Sequence, residues 1–273
     1  MPTNRTMTLR GKRLITTALM LALAAGVAGC GTDKMSTGSI GRTSGKPLDT
    51  MSAGELHNAT AVLGQSYAKN PNDKRIATNF AAALQMDGDA DQSLAVMRKL
   101  AIVYPKDRDV LAAYGKALAA NGQFEAALDA VRRAQTPEYP DWKLVSAEAA
   151  ILDQIGQKDE ARQLYRKALE LKPNEPSVLS NLGMSYVLEG DLRTAETYMR
   201  SAAQQPGADS RVRQNLALVV GLQGRFDEAE KIASQELSPE QAQANVAYLR
   251  QMLAQQNAWS QLKDQDKSKP ATN

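Results

Sequence analysis

The sequence has very few residues that hold metals or form disulfides. Its 273 residues include one cysteine, Cys30, and one histidine, His57. A single cysteine cannot form an intramolecular disulfide, and a lone histidine without a cysteine or carboxylate cluster does not make a zinc site. The sequence also contains no glycine-rich phosphate loop and no cluster of catalytic residue types. We therefore expect a protein that is not an enzyme, with no cofactor, no metal site and no small-molecule substrate.

An excess of positive charge is also missing once the first 29 residues are set aside. The chain has 33 Lys and Arg against 30 Asp and Glu, a formal net charge of +3. The first 29 residues hold four of these cations and no acid, so the remainder has a net charge of 3 − 4 = −1. A nearly neutral body lacks the basic face that binds a phosphate backbone. We expect no nucleic-acid partner.

A glycine recurs every 34 residues through most of the chain. A small residue follows each of these glycines five positions later, and apolar residues recur around both at helical spacing. A fixed period of about 34 residues with this pattern is typical of tetratricopeptide (TPR) repeats, each a pair of short helices joined by a turn. The sequence predicts an all-α fold, a TPR α-solenoid forming a right-handed superhelix of helix pairs. The recurring glycines are Gly88, Gly122, Gly156, Gly190 and Gly224.

The register of the repeat divides the folded body into segments. Residues 74–237 hold five TPR repeats. Residues 51–73 match only the second helix of a repeat and are predicted to cap the array. Residues 238–262 open with Ser-Pro-Glu-Gln, a capping box, and are predicted to form a C-terminal capping helix. Residues 263–273 are charged and contain Pro270, so we expect a disordered tail.

The first 29 residues have the composition of a secretory signal peptide. A basic start precedes a short apolar run, Leu14–Val27, and small residues stand just before Cys30. The end of this segment resembles a bacterial lipobox, which implies that Cys30 is lipidated; the alternative is a plain signal peptide with an incidental cysteine. Gly31, not aspartate, follows the cysteine, and by analogy this implies sorting to the outer membrane. Residues 30–50, rich in Ser, Thr, Gly and Lys, are predicted to be a flexible tether.

The first helices of the repeats supply a candidate peptide-binding groove. Six positions of each repeat point to the concave face of a TPR superhelix, and three asparagines share the sixth position. An amide donates and accepts hydrogen bonds, which suits a peptide backbone; the alternative is that these amides only bond neighbouring helices. Aliphatic side chains and methionine adapt to a bound helix or strand. The groove residues are Asn79, Met86, Lys116, Asn181, Met184, Leu188, Asn215, Leu218 and Leu222, with Ala82, Ala112, Ser146, Ala150, Asp153 and Gln214.

Taken together, the lipobox, the half-repeat, the five repeats and the last helix resemble the TadD family, the TPR lipoproteins of tight-adherence (Tad/Flp) pilus assembly systems. The segment that distinguishes this resemblance is Pro239–Leu253, which follows directly on the last repeat. The resemblance implies a non-enzymatic scaffold that is lipid-anchored in the outer membrane and faces the periplasm. It also implies a partner, the outer-membrane secretin of a Tad system, whose assembly or localisation the protein would support as a pilotin does.

Two other roles fit the same features. The chain is also consistent with a TPR lipoprotein of another envelope machine, serving type IV pilus biogenesis or β-barrel assembly. It is equally consistent with an adaptor that recruits a cell-wall enzyme. The repeat pattern alone predicts only a scaffold for protein–protein interaction.

Overall fold

The computed structural model describes residues 47–48, 51–136, 138 and 140–268, with side chains as far as residue 255. The predicted signal peptide, Cys30 and the tether apart from Pro47 and Leu48 lie outside these residues. The described part contains twelve α-helices, which confirms the all-α prediction. They are α1 (Ala53–Lys69), α2 (Lys74–Met86), α3 (Ala90–Val103), α4 (Arg108–Ala120), α5 (Phe124–Ala134), α6 (Trp142–Gln154), α7 (Lys158–Leu171), α8 (Pro176–Glu189), α9 (Leu192–Ala203), α10 (Ser210–Leu222), α11 (Phe226–Ala233) and α12 (Pro239–Ser268).

Acidic residues start several of the first helices of the repeats. The carboxylates of Asp73, Asp107 and Asp209 each accept a hydrogen bond from the backbone N–H three residues later, at 2.8 to 3.1 Å. An N-cap of this kind satisfies one of the four free N–H groups at a helix start and is worth about 1 kcal/mol. The recurring aspartates therefore fix where these helices begin.

The recurring glycines end the first helices. All five adopt a positive φ, between 71° and 92°, which a residue with a Cβ adopts only at a cost. A second glycine, Gly183, lies inside α8 and is needed for a different reason. A Cβ added there would lie 2.8 Å from Met199 Cγ and 3.1 Å from the carbonyl oxygen of Ala195. The recurring glycines thus permit the left-handed turns that end these helices, and Gly183 permits the close approach of α9 to α8.

The helices fall into two compact units. The first ends at Leu171 and holds α1–α7; the second begins at Lys172 and holds α8–α12. Within each unit, consecutive helices pack against one another and bury apolar side chains between them. The large side chains that are fully buried include Met97, Leu100, Leu118, Leu152 and Tyr165 in the first unit, and Leu182, Met199, Val212 and Val219 in the second.

Each of the two end helices packs against neighbouring helices of its own unit. Helix α1 packs on α2, with the rings of Tyr67 and Phe80 5.2 Å apart. Helix α12 packs on α10 and α11 and buries Ala242, Val246 and Leu249. Its capping box forms as predicted: Ser238 Oγ accepts from the Gln241 N–H at 3.3 Å, and Gln241 Oε1 accepts from the Ser238 N–H at 3.2 Å.

One boundary prediction is wrong. Helix α12 continues to Ser268, so residues 263–268 are helical where we expected a disordered tail beginning at 263. The physical reason is that residues 257–268 are mostly polar but contain no glycine or proline, and charged residues are compatible with a solvated helix. Pro270 is the first residue in this stretch that disfavours the helical conformation of its predecessor. Residues 269–273 lie outside the described residues.

Candidate peptide-binding site

Two equivalent stripes of side chains lie on α8 and α10 of the second unit. Their residues recur at i, i+4, i+7 and i+11, so each stripe occupies one face of its helix. Each residue of the second stripe follows its counterpart by 34 positions. We call the two together the paired stripes: Ser177, Asn181, Met184 and Leu188 on α8, and Arg211, Asn215, Leu218 and Leu222 on α10.

A hydrogen bond joins α8 to α10 at the paired stripes. The Nδ2 of Asn215 donates to the hydroxyl of Ser180, its neighbour on α8, over 3.1 Å. Six predicted site residues on these helices are half-buried, packed against the fold with some surface in contact with solvent: Asn181, Met184, Leu188, Asn215, Leu218 and Leu222. Gln214 is exposed. Because packing already holds the half-buried side chains in place, they lose little conformational entropy when they contact a partner.

The paired stripes change character along the helix axis. Ser177 and Arg211 lie at the N-terminal ends of their helices, followed by the two asparagines, and the other four residues are apolar. The helix N-termini add partial positive charge at the polar end. The arrangement therefore offers hydrogen-bond donors at one end and an apolar surface of methionine and leucine at the other.

The three predicted asparagines differ in what they do. Asn215 uses its amide to bond Ser180, so for this residue the structural alternative holds. Asn79 on α2 and Asn181 on α8 are half-buried, and neither side chain is hydrogen-bonded to a described residue. Both amides are therefore available to a ligand; that they bind a peptide stays a prediction.

The first unit presents fewer of the predicted residues. Met86 is 41% exposed and Lys116 is exposed, so both are accessible. Ser146 and Asp153, counted among the groove positions, are only 2% and 7% exposed. Their assignment to a ligand-binding face is wrong, because α6 is packed between α5 and α7 and is buried continuously from residue 144 to residue 149.

A cleft of about 350 Å³ lies in the first unit at the starts of α4 and α6, but its carboxylates have other tasks. Asp107 accepts a hydrogen bond from the Lys74 ammonium at 2.9 Å, and this bond lowers the pKa of the aspartate. Asp141 accepts the Lys143 N–H at 2.9 Å as the N-cap of α6. The cleft is best explained by helix capping and a surface ion pair. It is lined by Asp107, Arg108, Asp109, Ala112, Asp141 and Leu144.

A closed ring of four charges joins α9 to α11 in the second unit. Arg200 Nε lies 2.7 Å from Glu196 Oε1, and Arg225 Nη1 lies 2.9 Å from Glu228 Oε2. The ring is closed by contacts between Arg200 and Glu228 and between Arg225 and Glu196. Gln223 donates to Glu196 at 2.8 Å. The hydrogen bonds from Arg225, Gln223 and Arg200 lower the pKa of Glu196 to about 2.

The described residues include no group of three or more potential metal ligands. His57, the lone histidine, is 78% exposed at its side chain, and its Nδ1 lies 3.0 Å from Asp87 Oδ2. This contact joins α1 to the end of α2, a structural role on the surface. Of the helices in the described ranges, none combines the length and the apolar character that crossing a membrane requires.

Sequence profiles and solved structures agree on the repeat unit that builds this fold. A tetratricopeptide-repeat profile matches residues 78–141, and a second TPR-repeat profile matches residues 151–190. These matches fall on the helix pairs that the glycine period marks. The chain therefore contains tetratricopeptide repeats. Its TPR α-solenoid fold is thereby confirmed, and TPR repeats indicate a scaffold for binding other proteins.

Solved TPR structures show the same fold at low sequence identity. A TPR protein from Parabacteroides merdae aligns with a TM-score of 0.63 and 14% identity, over 72% of this chain and 78% of that one. A thermophilic TPR protein from Thermus thermophilus aligns with a TM-score of 0.56 and 19% identity, over 66% and 97%. PilF of Pseudomonas aeruginosa aligns at 21% identity over 67% and 83%, with a TM-score of 0.48, too low to bear on function. Among curated protein sequences, none matches this chain.

Sequence reasoning missed Arg211, the cationic member of the paired stripes. The signal was available, because Arg211 occupies the second position of the fifth TPR repeat, one of the six positions counted as concave. Its Nη2 lies 3.5 Å from Asp209 Oδ2, and its buried Nη1 has no hydrogen-bond partner among the described residues. The burial of Nη1 and its missing hydrogen bond are visible only in the structure.

Proposed function

We propose that this TPR protein is a non-enzymatic scaffold that binds a segment of a partner protein on the paired stripes. The observation that carries this proposal is the half-buried surface of Met184, Leu188, Leu218 and Leu222 beside the open amide of Asn181. Apolar side chains of this kind, with a few polar groups beside them, suit an amphipathic helix or an extended strand.

We further propose that the scaffold works at the outer membrane, anchored through lipid on Cys30 and facing the periplasm, and supports the secretin of a Tad/Flp pilus system as a pilotin does. The support for this finer role is in the sequence. It consists of the lipobox-like residues before Cys30 and the resemblance of Pro239–Leu253 to the TadD family. Membrane attachment through a diacylglyceryl group would leave the TPR body free to capture an arriving partner subunit.

A capture experiment tests the role. The full chain, tagged at its C-terminus, is produced in its own cells, the envelopes are dissolved in detergent, and captured proteins are identified by mass spectrometry. We expect recovery of a secretin, with its recovery strongly reduced in the Leu218→Glu variant, because a carboxylate placed among apolar side chains would face the partner's own apolar surface. Tyr248→Glu is the matched control, since Tyr248 is 69% exposed on α12 of the same unit.

The other outcomes separate the alternatives. Recovery of β-barrel assembly factors, type IV pilus proteins or cell-wall enzymes without a secretin would overturn the Tad assignment. Equal capture by the wild type and Leu218→Glu would show that the paired stripes are not the binding surface. The anchor is tested separately: Cys30→Ser should move the chain from the membrane fraction to the soluble fraction or leave an uncleaved precursor, and unchanged lipid labelling would refute the anchor.

A further inference from the structure

We propose that the paired stripes select partner segments in which an aspartate or glutamate side chain lies at a fixed distance from apolar residues, and that Arg211 binds this carboxylate. The inference rests on the proposed function, because it names the chemistry of the segment that the scaffold would bind. It adds a specificity-determining residue at the polar end of the site.

Among the arginines that form ion pairs in the described part of the second unit, Arg211 has the longest contact. Its one ion pair, to Asp209, spans 3.5 Å, whereas Arg200, Arg213 and Arg225 each contact a glutamate at 2.7 Å or closer. The Nη1 atom of Arg211 is covered by the fold and makes no hydrogen bond to a described residue. A buried donor left without a partner is unfavourable, so a carboxylate that draws the guanidinium outward and accepts from Nη1 would gain both charge and hydrogen bonding.

The acidic residues at this end of the stripes have other donors. Asp209 accepts the Val212 N–H at 2.9 Å as the N-cap of α10. Glu175 accepts from the Ser177 hydroxyl at 2.9 Å at the start of α8. Neither carboxylate is positioned by a short bond to Arg211, so the guanidinium retains donors for a ligand. The partial positive charge of the two helix N-termini favours an anion at the same place.

The geometry of α10 sets the spacing of the recognised groups. Leu218 and Leu222 follow Arg211 by seven and eleven residues on one face. At about 1.5 Å per helical residue, they lie about 10 and 16 Å from it along the axis. An extended segment covers these distances in about three to five residues at roughly 3.3 Å each. A segment lying along α10 in extended form should therefore place its acid three to five residues from its apolar anchors.

Selection from a random peptide library tests this specificity directly, because it requires no partner protein. Twelve-residue random peptides displayed on phage are selected on the immobilised full chain in detergent, with parallel selections on Arg211→Gln and on Leu218→Glu. We expect the wild type to enrich peptides with Asp or Glu three to five residues from Leu, Ile, Met or Phe. Arg211→Gln should enrich apolar peptides without the acid, and Leu218→Glu should enrich neither.

Affinities of the best selected peptide then measure the contribution of Arg211. One charge-assisted contact corresponds to roughly 10- to 100-fold in affinity, so Arg211→Gln should weaken binding by that factor and remove most of its dependence on salt. The matched control is Arg193→Gln, which removes an exposed charge from α9 and should leave affinity unchanged. Circular dichroism and urea unfolding confirm that each variant is folded.

Three results would overturn the inference. Enriched peptides without a preferred acid, or equal affinity of wild type and Arg211→Gln, would remove the role of Arg211 and leave the scaffold proposal standing. Absence of any enrichment over Leu218→Glu would also count against it. The envelope capture reports on the proposed function separately, because it depends on the native partner and not on the peptide library.

Discussion

Replacing Glu196 with glutamine should destabilise the second unit by about 1–2 kcal/mol at neutral pH. Glu196 contacts Arg225, Arg200 and Gln223, and its side chain is only 15% exposed. A carboxyl with a pKa of about 2 in the folded chain and 4.5 in the unfolded chain contributes about 3 kcal/mol at most. We halve this figure because the two arginines are 41% and 39% exposed, so solvent screens the ion pairs.

The lowered pKa of Glu196 determines how its contribution to the free energy of unfolding changes with pH. The folded chain holds Glu196 ionised at a pH where the unfolded chain has already taken up a proton. The stabilisation is therefore fully present above about pH 4.5, and it is lost as the pH falls from about 4.5 towards about 2. Glutamine mimics the protonated side chain. The difference in unfolding free energy between wild type and Glu196→Gln should shrink over the same interval.

Urea unfolding followed by circular dichroism at pH 7, 4 and 3 measures this difference. The matched control is Glu230→Gln on α11, because the Glu230 side chain forms no ion pair with a described residue. The control should stay within about 0.5 kcal/mol of the wild type at each pH. A Glu196→Gln difference that is absent at pH 7, or one that is unchanged between pH 7 and pH 3, would refute the assignment of stability to this ring of charges.

Three further substitutions test the local structure. Gly190→Ala should lower the free energy of unfolding, measured in urea, by about 1–2 kcal/mol, because φ is 90° at this residue. The control Gly54→Ala, with open space around the added Cβ, should cost nothing. Equal effects of the two substitutions would contradict the left-handed turn at Gly190. Ser238→Ala should lose about 1 kcal/mol and speed hydrogen exchange in the first turn of α12, and unchanged exchange would argue against the capping box. Gly221→Ala should destabilise the wild type, because the added Cβ would lie 2.5 Å from Leu249 Cδ2. In a Leu249→Ala background the same substitution should be neutral or stabilising. If the two substitutions have additive effects in this double-mutant cycle, the contact is contradicted.

The fold could be predicted from the sequence because its period is carried by residues with strict backbone requirements. Gly190 and its equivalents are needed for a positive φ, and Gly183 is needed where Met199 approaches. Composition was a poorer guide. The charged residues after position 262 predicted disorder, yet charge alone does not end a helix, and α12 continues to Ser268.

The candidate binding site was only partly predictable, because counting positions places a residue on a helix face without showing which other helices cover it. The count identified Asn181 and Met184, which the structure leaves half-buried and accessible. It also placed Ser146 and Asp153 on the same kind of face, and packing from α5 and α7 buries both. Arg211 was missed because a single cation does not recur with the period of the repeat. The burial of its Nη1 and the missing hydrogen bond follow from the three-dimensional packing, which the sequence does not show.

In the second unit, the charged ring and the proposed binding surface lie on different helices. The charged ring lies on α9, α11 and the turn before α11, whereas the paired stripes lie on α8 and α10. A loss of 1–2 kcal/mol at the ring leaves a domain of ordinary stability almost wholly folded, so it should not change partner capture. Asn215 is the exception, since its bond to Ser180 holds together the two helices that carry the stripes. A binding defect at Asn215 would therefore not identify a partner contact, whereas one at Asn181, whose amide bonds no described residue, would.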